Sequence, residues 1–324
     1  MPGKADLKTG VSPRASETIG NMPATREIAL LTAANLMSGA PDRRLDAHLF
    51  DVQFAILRDG LAPHGLALTP VRWMDPGQDW NRFTAVMVNC AWDYQDDHEV
   101  FLSTLDHVAA MGIPVFNDPA IIRWNIRKTY LKEFEAKGVA TIPTLWCDAP
   151  TDADILGALD AFGASDVILK RQVGGGAREQ VRYTSSNIPA PGPIMDRPIL
   201  DRPGMIQPFI PAIATEGEFS FLFIDGDFSH AVLKRPKTGD YRIQAAYGGD
   251  SQAITPTPED RTAAQRVIDH LPLHPLYARV DMVRGAGGNL LLMELEVLEP
   301  YLFPADGPQI GLMLGSALAR RLAR

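Results

Sequence analysis

Apolar residues in the first third of the chain follow two alternating patterns, short continuous runs and runs at helical spacing. Three short runs predict buried strands, at Glu27–Thr32, Ala85–Val88 and Val115–Phe116. Helical spacing predicts amphipathic helices over about Leu45–Leu61 and Glu99–Ala110. The first of these rests on Leu45, Leu49, Val52, Ile56 and Leu57. Strands that alternate with helices predict a small parallel α/β lobe over residues 26–116.

The middle of the chain is less regular. Helical patterns cover Asn125–Lys137 and Asp152–Phe162, and the apolar run Val167–Lys170 predicts a strand that leads into three consecutive glycines. Residues 187–204 carry five prolines. Because proline has no backbone N–H, this segment is predicted to be a connector without regular structure.

The pattern after the connector becomes antiparallel. Four strands are predicted here, at Phe219–Ile224, Phe228–Leu233, Leu276–Val283 and Asn289–Leu298. The first two flank Asp225-Gly226, which tolerate positive φ and therefore predict a tight hairpin. Between the two pairs, Thr257 and Pro258 suit the N-cap and first position of a helix over about residues 258–270.

Composition and charge narrow the class of protein. The 324 residues are 46% hydrophobic and 22% charged, values that are ordinary for a globular protein of two or three lobes. A net charge of −8 and the lack of any Lys/Arg run argue against a nucleic-acid partner. No apolar run approaches the roughly 20 residues of a membrane helix. Cys90 and Cys147 lie far apart, which argues against disulfides and zinc and favours the cytoplasm. Residues 1–25, rich in Pro, Gly, Ser, Thr and charge, are predicted to form a disordered tail.

The clearest chemical pattern is an acidic strand pair near the C-terminus. Alternate residues of a strand share a face, so Arg279 and Asp281 point the same way, as do Glu294 and Glu296. If the two strands pair, three carboxylates and one arginine collect on one side, opposite an apolar side that includes Met293. Carboxylates this close repel one another unless a positive charge lies among them, and Mg²⁺ bound through oxygen supplies that charge. A solvated charged sheet face is the alternative.

A second candidate is the glycine loop after the strand that ends at Lys170. Gly174–Gly176 let backbone N–H groups approach phosphate oxygens, although a plain flexible hairpin loop would have the same sequence. Lys128 is predicted at a helix start, where an anion is favoured, but taken singly it is more typical of a surface lysine. Gln207–Ile210 is an extended apolar stretch, either a linker that contacts an adenine edge or a core strand.

Taken in order, these pieces resemble the ATP-grasp superfamily over about residues 26–324. Four segments are similar to its branch near glutathione synthetase, which includes a cycloserine-forming cyclase: Glu216–Ser220, Ser229–Val232, Gly239–Gln244 and Tyr277–Asp281. The resemblance implies an α/β protein with α+β lobes and the ATP-grasp fold. Its expected parts are an N-terminal α/β lobe (26–116), a central lid (117–205) and a C-terminal antiparallel lobe (206–324), with ATP between the last two.

The resemblance also implies a role for each candidate residue. The nucleotide is expected to contact Lys128, Lys170, Gly174, Gly175, Gly176, Gln207, Phe209, Ile210 and Glu216. Glu218 is the alternative to Glu216 at the ribose. The expected metal ligands are Asp281, Glu294 and Glu296. Arg279 is expected near the reacting acyl phosphate, and Arg242 is expected to face phosphate or substrate.

Two positions depart from the pattern of this branch. Glu296 stands where the superfamily often has Asn, which leaves the number of Mg²⁺ ions open. Asn89-Cys90 stands where Arg-Ser is expected, at a strand end that is predicted to face the substrate cleft near Trp92. The identity of the substrate therefore does not carry over from the branch.

The resemblance implies an ATP-dependent ligase. Mg-ATP would activate the carboxylate of a small, amino-acid-like molecule as an acyl phosphate, which an amine then attacks. An intramolecular cyclase of the cycloserine-forming kind and a non-catalytic nucleotide-binding protein are the alternatives. No nucleic-acid or membrane partner is expected, and a homodimer is left open.

Overall fold

The computed structural model describes residues 25–186 and 202–324, which form three β-sheets with helices packed around them. The predicted tail, apart from residue 25, and residues 187–201 of the predicted connector lie outside this range. The mixed α/β class predicted from the sequence is confirmed, with one parallel and two antiparallel sheets.

The N-terminal sheet is parallel, with the strand order β2-β1-β3-β4. Its strands are β1 (Arg26–Thr32), β2 (Leu66–Arg72), β3 (Ala85–Cys90) and β4 (Val115–Phe116). Helices α1 (Ala47–Leu61) and α2 (His98–Ala110) connect them. Strand β2 is absent from the sequence-based prediction. It contains Pro70, a residue that sheets tolerate mainly at an edge, and β2 is indeed the edge strand here.

Helix α1 forms as predicted, but its buried face is not the predicted one. Leu57 and the polar Gln53 are fully buried, whereas Val52 is 38% exposed. Leu45 precedes the helix and is 95% exposed. The predicted apolar stripe does not include Gln53. Its amide is buried because it hydrogen-bonds with the backbone of Pro300 and Leu302.

The central sheet is antiparallel, with the order β5-β8-β6-β7. Its strands are β5 (Leu145–Cys147), β6 (Asp166–Arg171), β7 (Val181–Thr184) and β8 (Gly204–Pro208), and α5 (Asp152–Phe162) packs on it. The single helix predicted over Asn125–Lys137 is instead two helices, α3 (Pro119–Asn125) and α4 (Tyr130–Ala136). Strand β8 crosses the limit expected between residues 205 and 206, and the domain limits stay a prediction.

The C-terminal sheet is antiparallel, with the order β11-β10-β9-β12-β13. Its strands are β9 (Glu218–Ile224), β10 (Asp227–Arg235), β11 (Asp250–Ile254), β12 (Tyr277–Arg284) and β13 (Leu290–Glu296). The accompanying helices are α6 (Ala212–Thr215), α7 (Pro258–Asp269) and α8 (Gln309–Arg321). The predicted hairpin is confirmed, since Asp225 and Gly226 have φ of 54° and 89°. The Thr257 cap is confirmed too, because its side chain accepts a hydrogen bond from the Asp260 backbone N–H.

Buried amides and one phenol attach the N-terminal half of the chain to strands β12 and β13. Asn117 Nδ2 donates to the carbonyl oxygens of Tyr277 and Val297 at 2.8 and 2.7 Å. Asn125 Nδ2 donates to the Leu295 carbonyl oxygen at 2.9 Å. The Tyr130 hydroxyl also donates to this oxygen and accepts from the Leu295 backbone N–H. These bonds occupy buried backbone groups, so they fix the position of both strands.

Helices α1 and α8 cross at glycines. A Cβ atom built on Gly60 would lie 2.1 Å from the carbonyl carbon of Gly311, and one on Gly315 would lie 2.1 Å from the Gly60 oxygen. Side chains of this helix pair, such as Leu57 and Leu314, are fully buried around the crossing. The two backbones are therefore too close for any side chain at these positions.

We expect Gly60→Ala to destabilise the fold by about 3 kcal/mol, because overpacking costs about 1–3 kcal/mol and here the clash is with backbone. The control is Gly157→Ala in α5, whose added Cβ meets nothing within 4 Å. That substitution should stabilise by about 0.5–1 kcal/mol, since alanine loses less entropy in a helix. Urea unfolding measures both free energies. Equal stabilities of the two variants would contradict the described crossing.

Candidate active site

A cleft of about 670 Å³ lies between the central and C-terminal sheets and is bordered by the N-terminal lobe. A volume of this size is typical of a small-molecule or cofactor site. Thirteen of the candidate residues line it: Lys128, Lys170, Gly174, Gly175, Gly176, Gln207, Phe209, Ile210, Arg242, Arg279, Asp281, Glu294 and Glu296. The structure thus brings together residues that are up to 168 positions apart, from Lys128 to Glu296.

Strands β12 and β13 pair as the alternation of their residues predicts. Arg279 lies opposite Glu296 and Asp281 lies opposite Glu294, on the face that borders the cleft. Met293 departs from the prediction, because it lines the cleft instead of the apolar side. The register shifts between Asp281 and Met282, and such a bulge turns one residue out of the alternation.

The carboxylates on this face are each bound to a cationic side chain. Asp281 accepts from Arg279 Nη2 at 2.9 Å and from Lys234 Nζ at 3.2 Å, and it also accepts from the Ser220 hydroxyl. Arg279 also pairs with Glu296, and Lys128 pairs with Glu294 at 3.0 Å. Positive charge among these acids is therefore supplied by Arg279, Lys234 and Lys128 of the protein itself.

Burial raises the pKa values of Asp281, Glu296 and Glu218, whereas pairing with cations lowers them. Burial raises the pKa of Asp281, but Arg279, Lys234 and the Ser220 hydroxyl outweigh it and hold that pKa at about 2. Burial raises the pKa of Glu296 to about 7; Arg279 lowers it only in part, and Glu294 adds repulsion. Burial likewise raises the pKa of Glu218, against the attraction of Lys234. Asp281 is thus the firmly ionised member of the group.

Lys128 and Lys170 approach the cleft from the opposite side. Lys128 lies in the turn between α3 and α4, not at a helix start, and its backbone N–H donates to the Gln172 oxygen at 2.8 Å. Its ammonium donates to the oxygen of Gly174, at the first glycine of the loop. Lys170 makes no ion pair with any described residue, and burial lowers its pKa. Lys170 is half-buried, and a cation in this setting that pairs with none of the described residues suits an anion such as a triphosphate.

The far end of the cleft is apolar and suits a purine. Phe209 lies under the Arg182 guanidinium, 3.8 Å from its ring centroid, and meets Tyr241 edge-on at 6.0 Å. Gln207 donates through Nε2 to the Thr144 hydroxyl at 3.0 Å, while its Oε1 is buried without a partner. A buried acceptor of this kind fits the exocyclic amino group of adenine.

Glu216 is not among the residues that line the cleft. Its carboxylate pairs with Arg284 at 3.0 Å, and Arg284 in turn pairs with Asp260. Glu218, the alternative weighed for the ribose, does line the cleft and pairs with Lys234. Because the Glu216 carboxylate is bound by Arg284 outside the cleft lining, Glu218 is the candidate for the ribose contact.

Lys234 is a cleft residue that the sequence reasoning missed. It lies directly opposite Glu218 in the β9–β10 hairpin. Counting back from the Asp225-Gly226 turn would place Leu233 there, but a bulge near His230 shifts the register by one residue. The hairpin was the available signal, and the bulge obscured it.

The N-terminal lobe contributes Trp92 and Arg44 to the cleft, but not the expected Asn89 and Cys90. Asn89 and Cys90 are fully buried. Asn89 accepts from Gln53 Nε2 at 2.6 Å, and both amides donate to the Pro300 oxygen. The departure from Arg-Ser therefore affects how the lobe holds the chain after β13, and does not contact a cleft ligand.

The donor set on β12 and β13 fits a hard divalent cation. Asp281, Glu294 and Glu296 present carboxylate oxygens, which Mg²⁺ prefers, on one face. Among residues 25–186 and 202–324 no three acidic, His or Cys side chains form a ready metal site, because the acids point at their cationic partners. A triphosphate would offer Lys128 an alternative anion and so free the carboxylate of Glu294.

The lysine that pairs with no described residue, the glycine loop, the buried acceptor and the acidic strand pair together form a site that suits a nucleoside triphosphate and a divalent cation. Comparison with known proteins agrees. Residues 28–117 match the N-terminal domain of D-cycloserine synthetase DcsG, and residues 158–300 match the ATP-grasp domain of prokaryotic glutathione synthetase.

Full-length relatives show the same. The chain is 29% identical over 277 residues to the cycloserine biosynthesis protein DcsG of Streptomyces lavendulae, covering 80% of this chain and 90% of that one. It is 30% identical over 230 residues to glutathione synthetase of Prochlorococcus marinus strain MIT 9313, covering 65% and 67%. The crystal structure of D-cycloserine synthetase DcsG superposes with a TM-score of 0.78 at 26% identity, over 91% of this chain and 99% of that one.

The chain belongs to the ATP-grasp superfamily, in its glutathione synthetase-like branch close to the cycloserine-forming enzyme. It is therefore an ATP-dependent ligase-type enzyme with Mg-ATP as its cofactor, and the non-catalytic alternative is not carried forward. In the part of the chain that the structure describes, no helix is long and apolar enough to cross a membrane.

We expect Lys234→Met to destabilise the protein by about 3–5 kcal/mol, because it leaves Glu218 and part of the Asp281 charge buried without compensation. Arg235→Met is the matched control on the same strand, since Arg235 is exposed and should change stability by about 0.5 kcal/mol or less. Guanidinium unfolding measures both. Unfolding of Lys234→Met at the wild-type midpoint would contradict the buried network.

Mg-ATP should stabilise the wild-type fold by about 2.7 kcal/mol at 100 times its dissociation constant. We expect Lys170→Met to lose most of this stabilisation, since Lys170 is a half-buried cation of the cleft that pairs with no described residue. Without nucleotide, the same variant should be about as stable as wild type, because no ion pair with a described residue is lost. Thermal unfolding with and without Mg-ATP checks both, with the exposed Lys137→Met as control. An equal shift in Lys170→Met and wild type would disprove the assignment.

Proposed function

We propose that this enzyme phosphorylates a small-molecule carboxylate with ATP and passes the resulting acyl group to an amine. The observation that carries the proposal is the single face on which Arg279 and Asp281 lie opposite Glu296 and Glu294, across the cleft from Lys170. This arrangement collects charged side chains in one part of the cleft, whereas the apolar pocket of Phe209 forms another part. The terminal phosphate would therefore meet the charged end.

The chemistry follows from the leaving group. A carboxylate is a poor acyl donor, because oxide would have to leave, whereas an acyl phosphate releases phosphate. The carboxylate oxygen attacks the terminal phosphorus of ATP and the bond to ADP breaks. The amine nitrogen then bonds to the acyl carbon, and phosphate leaves with the electron pair of the broken C–O bond while the nitrogen loses its surplus protons to solvent.

The side chains of the cleft divide this work. Lys128 and Lys170 would bind phosphate oxygens, and Asp281, Glu294 and Glu296 would hold Mg²⁺. When bound, Mg²⁺ offsets the repulsion between two anions. The guanidinium of Arg279 is held on Asp281 and on the Tyr301 carbonyl at 3.1 Å, so its direction is fixed. A fixed donor of this kind would stabilise negative charge that develops on the acyl oxygen.

The rim of the cleft supports an amino-acid-like substrate. Arg44 pairs with Asp46 at 2.8 Å and lies over the Trp92 ring, 5.6 Å from its centroid. Arg242 pairs with Asp240 at 2.8 Å and lies over another aromatic ring of the cleft. Paired charges beside aromatic faces offer partners to both ends of a zwitterion.

An intramolecular cyclase of the cycloserine-forming kind is the second candidate. The match of residues 28–117 to the N-terminal domain of D-cycloserine synthetase favours it, because this lobe supplies Trp92 and Arg44 to the cleft. In a cyclase, the carbonyl that ATP activates and the attacking nitrogen belong to one molecule. ATP consumption with a single substrate and no added amine distinguishes the two candidates.

We expect turnover to release ADP and phosphate, and not AMP and pyrophosphate, because the cations and acids of the cleft converge on the terminal phosphate end. Separate coupled assays for ADP and for pyrophosphate, run with amino and hydroxy acids as substrates, provide the measurement. The control is the same reaction without an acid substrate, which reports background ATP hydrolysis. Substrate-dependent pyrophosphate would overturn the acyl-phosphate mechanism.

A further inference from the structure

One carboxylate near the acidic strand pair forms no ion pair or hydrogen bond with the residues that the structure describes. Four acids on β9, β12 and β13 are bound to cations: Glu218, Asp281, Glu294 and Glu296. Glu299, three residues after the end of β13, also lines the cleft. Its carboxylate makes no ion pair or hydrogen bond with any other residue in 25–186 or 202–324. Glu299 thus resembles Lys170, which also lines the cleft without an ion pair to any described residue.

The position of Glu299 is fixed by the N-terminal lobe. Its backbone oxygen accepts from Trp92 Nε1 at 2.9 Å. A Cβ atom built on Gly175 would lie 3.6 Å from Glu299 Oε1 and 3.4 Å from Gln95 Nε2. The carboxylate therefore lies directly beneath the glycine loop, between that loop and the lobe that carries Trp92.

An unpaired carboxylate at this place calls for a positive group. Burial and the nearby Glu296 and Glu294 raise the pKa of Glu299 well above its usual range, so a negative charge there is unfavourable alone. A ligand with N–H donors or positive charge would relieve it. ATP, a carboxylate substrate and an acyl phosphate offer negative charge at their reacting ends. The amine is the reactant that offers N–H donors.

We propose that Glu299 binds the amino group that attacks the acyl phosphate, with the N–H bonds donating to its carboxylate beneath Gly175. The proposal rests on the proposed function and adds the residue that recognises the nucleophile. Arg279 on β12 donates through Nη1 to the carbonyl oxygen of Tyr301, two residues after Glu299. The site of the acyl oxygen and the site of the amine are thereby linked through one hydrogen bond to the segment that carries Glu299.

Hydroxylamine separates the two steps, because it traps acyl phosphates as hydroxamates and is small and largely uncharged at slightly alkaline pH. The acid substrate is first chosen by hydroxamate formation with wild type and Mg-ATP. The amine is then chosen from ammonium chloride and the common amino acids by ADP release. Glu299→Gln and Glu299→Ala are compared with Glu135→Gln, an exposed glutamate on α4.

We expect Glu299→Gln to raise the KM for the amine about 10- to 100-fold, the value of a hydrogen bond to a charged group. Hydroxamate formation and the thermal shift with Mg-ATP should stay within roughly twofold of wild type, and Glu135→Gln should match wild type throughout. Glu299→Ala should show the same split, and both variants should fold because the Glu299 side chain forms no ion pair or hydrogen bond with a described residue that the substitution would remove.

Three results would overturn the proposal. An unchanged KM for the amine would show that Glu299 does not recognise it. An equal loss with hydroxylamine and amine would place Glu299 in acyl activation, and loss of the Mg-ATP shift would make it a nucleotide or metal residue. Absence of hydroxamate from wild type with every acid would overturn the proposed function itself, and this inference with it.

Discussion

Asp281 binds Arg279, Lys234 and the Ser220 hydroxyl at the point where β9, β10 and β12 run side by side. Ser220 lies on β9, Lys234 on β10 and Arg279 on β12. One ionised carboxylate therefore fixes the mutual position of three side chains. Buried charges are tolerated only when they are compensated, and this compensation orients Arg279 and Lys234 before any ligand enters. The other features of the cleft are arranged around this point.

A second set of contacts keeps these strands aligned with the N-terminal lobe. Asn117 and Asn125 bind backbone groups of β12 and β13, and Gln53 binds the backbone of Pro300 and Leu302. Buried amides that are fully satisfied hold backbone in one arrangement, since any shift would leave polar groups unpaired. Strands β12 and β13 and the N-terminal lobe therefore form one preorganised unit, as a reaction with fixed donors needs.

Much of this arrangement could be predicted from sequence, and the failures have specific causes. The face of Arg279 and Asp281 follows from alternation along a strand, so local pattern was sufficient. Lys234 and Met293 were missed or misplaced because a bulge shifts the register, which no alternation reveals. The break before Tyr130 depends on the bond from Lys128 N to the distant Gln172 oxygen.

Helix α8 and the buried role of Gln53 were hidden for a related reason. Two glycines in α8 weaken the helical signal, and they are there because α1 packs against them. Gln53 looks like a surface residue until the segment that it binds, almost 250 positions away, is in place. The residues that we propose for the nucleotide could be placed in one cleft because short motifs carry them. The contribution of the N-terminal lobe to the cleft depends on long-range contacts and could not be predicted.

The glycine crossing of α1 and α8 also has a consequence for biosynthesis. Leu57 and Leu61 of the first helix share a fully buried cluster with Leu314 and Leu318 near the C-terminus. The ribosome synthesises α8 long after α1, so the N-terminal lobe emerges with the groove that receives this helix still exposed. Contacts this far apart in sequence form late and leave apolar surface open meanwhile. Completion of the first lobe must therefore wait until α8 has been synthesised, and the apolar face of α1 stays open to solvent until then.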